Sequence, residues 1–170
     1  MNIKNELLKE HSKQQSKKIA SYIGHDPKRF TQLIDCLLDR EYHVSQRAAM
    51  ALSHTVDRYP ELLNPHLHRL VKNLRKNIHI AVIRNTIRLL RGISIPDDLI
   101  GEVTDICFGL MESNETPIAV KVFAMTVLAI VCEKEPDLKI ELALIIEDQL
   151  PYGSPGLKNR GAKILKRLRK

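Results

Sequence analysis

A basic side chain returns along this chain at an interval that hardly changes: Arg47, Arg84, Lys121 and Arg160 are separated by 37, 37 and 39 residues. Each closes a similar four-residue phrase, Val44-Ser45-Gln46-Arg47, Ala81-Val82-Ile83-Arg84, Ile118-Ala119-Val120-Lys121 and Leu157-Lys158-Asn159-Arg160. A period of this size is that of a helix pair. One pair cannot bury its own apolar face, so pairs must stack and each must cover the next. The repeat therefore predicts an all-α fold of stacked helix pairs.

Punctuation along the chain agrees. The eight prolines, at 27, 60, 65, 96, 117, 136, 151 and 155, all fall between helically periodic segments. Four follow a residue able to cap a helix: Asp26-Pro27, Asn64-Pro65, Thr116-Pro117 and Ser154-Pro155. A short polar side chain satisfies a free N–H at a helix start and proline has none to satisfy, so these pairs predict helix starts. Between them, apolar residues recur with helical spacing. Phe30, Leu33, Ile34, Leu37 and Leu38 form one stripe, and Leu67, Leu70, Val71 and Leu74 a second. Leu99, Ile100, Val103, Ile106, Cys107 and Leu110 form a third, and Leu138, Leu142, Ile145, Ile146 and Leu150 a fourth. The partner helices are expected at 43–58, 78–94, 117–133 and 155–168. A lead-in helix is expected over 4–24, ending at Gly24. Nothing alternates in the manner of a strand.

With no Trp, three Phe and four Tyr, the core must be aliphatic. Cys36, Cys107 and Cys132 lie far apart within apolar runs, which predicts buried free thiols in a reducing compartment. The first 18 residues are polar and lysine-rich, unlike a signal peptide. The longest apolar run, Ile118–Cys132, carries Lys121 and is too short to cross a bilayer. The expectation is a cytoplasmic protein.

The second helices resemble HEAT repeats. Val44-Ser-Gln-Arg-Ala-Ala-Met-Ala-Leu52 is similar to the repeat's signature V-R-x-x-A-A-x-A-L, and Leu157-Lys-Asn-Arg-Gly-Ala-Lys-Ile-Leu165 is a weaker version. The likeness extends over residues 27–168. It implies a right-handed α-α superhelix of the HEAT/armadillo type, with about four helix pairs and an N-terminal helix. On this reading residues 1–170 are one repeat domain, with a helix at 4–24 and pairs at 27–59, 65–95, 97–133 and 136–168. The usual arginine position holds Ser45, Val82, Ala119 and Lys158, and the recurring base comes two residues later. The family's Asp–Arg ladder therefore does not carry over. The chain also resembles small bacterial HEAT-like proteins, some of which bear the name adenylosuccinate lyase. That lyase family ends a Ser-rich loop in M-P-x-K-x-N-P. The nearest string here, Gly153-Ser-Pro-Gly-Leu-Lys-Asn159, lacks the double Ser, the Met and the final Pro. The lyase reading rests on that name alone.

Charge is segregated. Residues 43–95 carry nine basic and two acidic side chains, 96–150 three and twelve, and 151–170 seven and none. Arg84, Arg88 and Arg91 stand at i, i+4 and i+7, within one arc of a helix. In the resembled family the second helices line the concave face. The resemblance thus brings Arg47, His54, Arg84, Arg88, Arg91 and Lys121 to one inner surface. A guanidinium fork pairs bidentately with carboxylate or phosphate, so the expected partner is an acidic peptide or protein. Met125 and Leu128 share the face of Lys121 and either lie in the core or form an apolar patch beside the cations. The alternative is sequence-blind binding of nucleic-acid backbone. HEAT-like DNA glycosylases hold duplex DNA on this architecture, but the scarcity of aromatics disfavours base handling here. Neither a catalytic constellation, a metal motif nor a phosphate loop is visible, so no enzyme activity and no cofactor is expected.

Overall fold

A computed structural model describes residues 1–170. It is all-α, with helices α1 (Ile3–Lys9), α2 (Lys13–Ile23), α3 (Pro27–Leu37), α4 (Tyr42–Val56), α5 (Leu67–Asn73), α6 (Ile80–Leu90), α7 (Asp97–Glu112), α8 (Ile118–Lys134), α9 (Lys139–Gln149) and α10 (Pro155–Leu168). Short 3-10 stretches cover Pro60–His66, Pro136–Leu138 and Leu150–Tyr152. Two compact units, Met1–Leu89 and Leu90–Lys170, make up the chain.

In the first unit α4 is the centre, packed by α1, α2 and α3. Its sequence explains why. Ala48, Ala49 and Ala51 are fully buried, and their small side chains let neighbouring helices approach on more than one flank. Val44 and Leu52 complete the buried surface. Helix α3 begins as its dipeptide predicts: Asp26 accepts from the N–H groups of Lys28 and Arg29, and Pro27 takes the first helical position. Its stripe of Phe30, Leu33, Ile34 and Leu37 is buried.

Two expectations fail here. The lead-in over 4–24 is two helices rather than one, because Ser12 accepts from the N–H of Gln15 and starts α2 afresh. The break is followed by a packed helix, with Ile19, Ala20 and Ile23 buried, and it ends at Gly24 as expected, with φ +52. Nor does Asn64-Pro65 start a helix. Pro65 lies inside the 3-10 stretch Pro60–His66, which Leu62 and Leu63 anchor in the core and which runs into the short α5.

Glu6 on α1 ties the two lead-in helices together. Its carboxylate accepts from Lys9, from Gln15 Nε2 at 2.9 Å and from Lys18 Nζ at 3.2 Å. These donors, Lys9 first, then Gln15 and Lys18, lower its pKa from 4.5 to about 2. The carboxylate is ionised in both folded and unfolded chains above 4.5, so its contribution is complete there. As pH falls from 4.5 towards 2 the unfolded chain binds the proton first, and the contribution is lost. Wild type should therefore lose stability more steeply than Glu6→Gln across this window in acid titrations followed by circular dichroism. Equal slopes would show that the cluster adds nothing.

In the second unit α8 is the centre, contacted by α7, α9 and α10. Residues all around α8 are buried, among them Val120, Ala124, Val127, Ala129 and Val131, as expected of a helix with no polar face. Pro117 precedes α8, but Thr116 does not cap it; no side chain does. Helix α10 starts as Ser154-Pro155 predicts, with Ser154 Oγ accepting from the N–H of Leu157. A Cβ at Gly161 would stand 2.8 Å from Leu150 Cδ2 and 3.0 Å from Ile146 Cγ2, so the missing side chain is what lets α10 close against α9. Of the fourth predicted stripe only Leu142 and Ile146 are buried in α9.

Candidate functional site

The structure redistributes the residues singled out in the sequence. Arg47, His54, Arg84 and Arg88 belong to the first unit, and Arg91, Lys121, Met125 and Leu128 to the second. Arg47 is engaged within the protein. Its Nη1 donates to the carbonyls of Leu7 at 2.8 Å and Leu8 at 3.1 Å, in the last turn of α1. Met125 and Leu128 are both 0 % exposed, so of the two readings the sequence left open for them they lie in the core and not at an apolar docking patch. Arg91 follows the end of α6 and stacks its guanidinium over the Phe123 ring, 4.5 Å from the centroid. Lys121 is half-buried at a shallow cavity that it lines with Asp148 and Gln149.

What the first unit does assemble is a cationic cluster centred on His54. Helix α2 supplies Lys13 and Lys17, one turn apart and both exposed. Helix α4 supplies His54, and α6 supplies Arg88, with Arg84 exposed one turn earlier. The packing of α2 on α4, and the contact of α4 with α6 through Ser53 Oγ and Asn85 Oδ1 at 3.3 Å, bring these side chains together. Asp57 is the only acidic group among His54's charged neighbours, and it also lies 3.8 Å from the Arg88 guanidinium. Burial lowers the pKa of His54 below its ordinary value, and Lys17, Lys13 and Arg88 lower it further, against the opposing pull of Asp57. Burial first, and the neighbouring cations second, favour the neutral imidazole. Lys13 and Lys17 were missed in the sequence, where 9–18 reads as uniformly polar. The signal was present: the i, i+4 lysines lie opposite Gln15, Ser16 and Ile19, which are buried.

Other candidates resolve into structure. The three cysteines are buried and unpaired. Burial drives the Cys107 thiol up to about 12; burial, then the nearby Asp39, drives Cys36 up to about 11; and burial raises Cys132. None is a thiolate nucleophile at neutral pH. In the basic tail, Arg167 pairs with Glu133, and Arg169 pairs with Glu147 at 2.6 Å. His66 packs beside Phe30, with ring centroids 5.6 Å apart. No helix is long and apolar enough to cross a membrane.

No curated protein and no solved structure matches the chain. A family model for the HEAT repeat domain does, and it covers residues 3–168. That span takes in α1 through α10, including the irregular second pair and the divided lead-in that the signature at Val44–Leu52 does not itself reach. With the family matched over nearly its whole length and its helices following in the expected pairs, the chain belongs to the HEAT repeat family.

Proposed function

We propose that this protein is a non-catalytic scaffold whose first unit grips an acidic peptide or the acidic face of a partner protein. HEAT repeats are in general protein-interaction scaffolds. The observation that carries the finer reading is the cluster of Lys13, Lys17 and Arg88 around His54, with Arg84 one turn before Arg88 on α6 and Asp57 as the single acidic neighbour of that histidine. The first unit as a whole carries sixteen Lys and Arg against eight Asp and Glu, so no local acidic excess offsets the cluster. Cations on α2 and α6, two helices that both meet α4, are spaced by the fold, unlike charges on a loose tail. Carboxylates of a partner would pair with the arginine forks, and the lysines would steer its approach.

The test is fluorescence anisotropy with a labelled glutamate-rich peptide at low and near-physiological salt. Arg84→Ala/Arg88→Ala and Lys13→Ala/Lys17→Ala are compared with wild type, and a labelled DNA duplex serves as the competing probe. Each double variant should weaken peptide binding by about tenfold, the scale of one or two charge-assisted contacts. No peptide binding at low salt would sink the proposal. Tight binding of the duplex instead, falling steeply with salt and lost in the same variants, would replace the peptide by a nucleic-acid backbone.

A further inference from the structure

Exposed apolar side chains collect on one element of the second unit. The three most exposed large ones in the chain are Tyr152 at 92 %, Ile140 at 74 % and Leu144 at 62 %, on α9 and the 3-10 turn that follows it. A lone exposed apolar residue needs no explanation, but a row of them on one face does. Leu142 and Ile146 are the buried side of α9. At about 100° per residue, Leu144 stands in the middle of the opposite face, about 40° from Ile140 and Asp148 and about 60° from Glu141 and Glu147. Arg169 holds Glu147 at 2.6 Å, whereas Glu141 and Asp148 are exposed. The outer face of α9 is therefore an apolar ridge, Ile140 and Leu144, that closes on Asp148 and has Glu141 on its flank.

This ridge has a counterpart on α6 of the first unit. Ile80, 41 % exposed, is followed at i+4 spacing by the exposed Arg84 and then by Arg88. Each ridge opens on apolar side chains and closes on charge, and the charges are opposite in sign. Rows at i+4 spacing are the ones that interdigitate when helices pack. Two copies of α9 set face to face would bring Glu141 and Asp148 against their own kind, and two copies of α6 would do the same with arginines. Like charge thus disfavours both symmetric pairings. The wider field agrees: residues 96–150 carry three basic and twelve acidic side chains, the first unit sixteen and eight.

We infer that the outer face of α9 docks on the α6 surface of a second copy of this chain. The inference rests on the reading of the first unit as an acid-gripping surface and names the occupant of that surface. Ile140 and Leu144 supply the apolar centre, and Glu141 and Asp148 supply the charges that meet Arg84 and Arg88. The contact is heterologous, because the patch given differs from the patch received. A pair of copies so joined keeps one free face of each kind, and association runs on past the dimer.

The experiment is sedimentation velocity of the full chain from about 5 to 500 µM, at low and near-physiological salt, with circular dichroism as the folding control. The mean mass of wild type should climb with concentration past that of a dimer, and climb less at the higher salt. Leu144→Ser should weaken the association at least about tenfold. Glu141→Arg/Asp148→Arg and Arg84→Glu change only exposed residues, and each should stay monomeric alone. Mixed, the intact α9 of the second variant meets the intact α6 of the first, and a heterodimer should form. A wild type that is monomeric throughout, yet still binds the glutamate-rich peptide, would overturn the second copy as occupant and leave the acid-gripping surface standing. Association untouched by Arg84→Glu, or a mixture that stays monomeric, would overturn the docking of α9 on α6 whether or not the peptide binds.

Discussion

Met125→Asp is expected to unfold the second unit, and Leu128→Ala to cost it about 2–5 kcal/mol. Both residues are 0 % exposed on α8, the helix that α7, α9 and α10 all contact. Truncating Leu128 removes apolar contact and leaves a void that close-packed neighbours fill only in part. Asp at 125 is worse, because a carboxylate at a position with no exposed surface must be held charged away from water or be protonated. Urea titrations followed by circular dichroism would show the loss as a fall in midpoint. The two variants also decide a question the sequence left open, whether the apolar face beside Lys121 is core or docking patch. A Met125→Asp protein as stable as wild type, but altered in partner binding, would return that face to the surface.

How much of this was legible depends on which physical signal each segment carries. The caps at Asp26 and Ser154 were readable because each is a local hydrogen bond backed by an adjacent proline. The same logic failed at Asn64-Pro65, where burial of Leu62 and Leu63 outweighs the cap preference and draws the chain into a 3-10 path. The break at Ser12 was missed because both flanking segments are helical in pattern, and only a side chain competing for the N–H of Gln15 separates them. Helix α9 shows a different limit. Its apolar residues lie on more than one side, so their spacing alone could not tell the buried Leu142 and Ile146 from Ile140 and Leu144, which are 74 % and 62 % exposed. The candidate site was legible in part for a similar reason. Arg84 and Arg88 stand out as a spaced pair of like charges, whereas their partners Lys13 and Lys17 are remote in sequence and become neighbours only when α2 packs on α4.

The recurring base carries the sharpest disagreement between pattern and structure, and Arg47→Ala tests it. A repeat-wide cation reads as a row of ligands, yet the Arg47 guanidinium donates to the last carbonyls of α1. Helix α1 has seven residues, too few to hold itself together in water, so its final turn needs outside partners. A cation there satisfies carbonyls that lack an intrahelical donor and also meets the negative end of the helix dipole. Arg47→Ala should destabilise the first unit by about 2 kcal/mol, the scale of hydrogen bonds from a charged donor. Arg47→Met should cost less, because it keeps the packed stem and removes a buried Nε that has no partner. Arg47→Lys should fall between wild type and Ala, since an ammonium keeps the charge but not the planar group whose Nη1 reaches both carbonyls. Affinity for the acidic peptide should stay within about twofold in all three, as expected of a residue outside the cluster around His54. A tenfold fall in peptide affinity with the urea midpoint unchanged would reverse the assignment, making this base a ligand contact and its carbonyl bonds incidental. The recurrence at 37-residue steps would then describe a binding surface; with the expected result it describes, at this first position, how a HEAT helix pair fastens the helix before it.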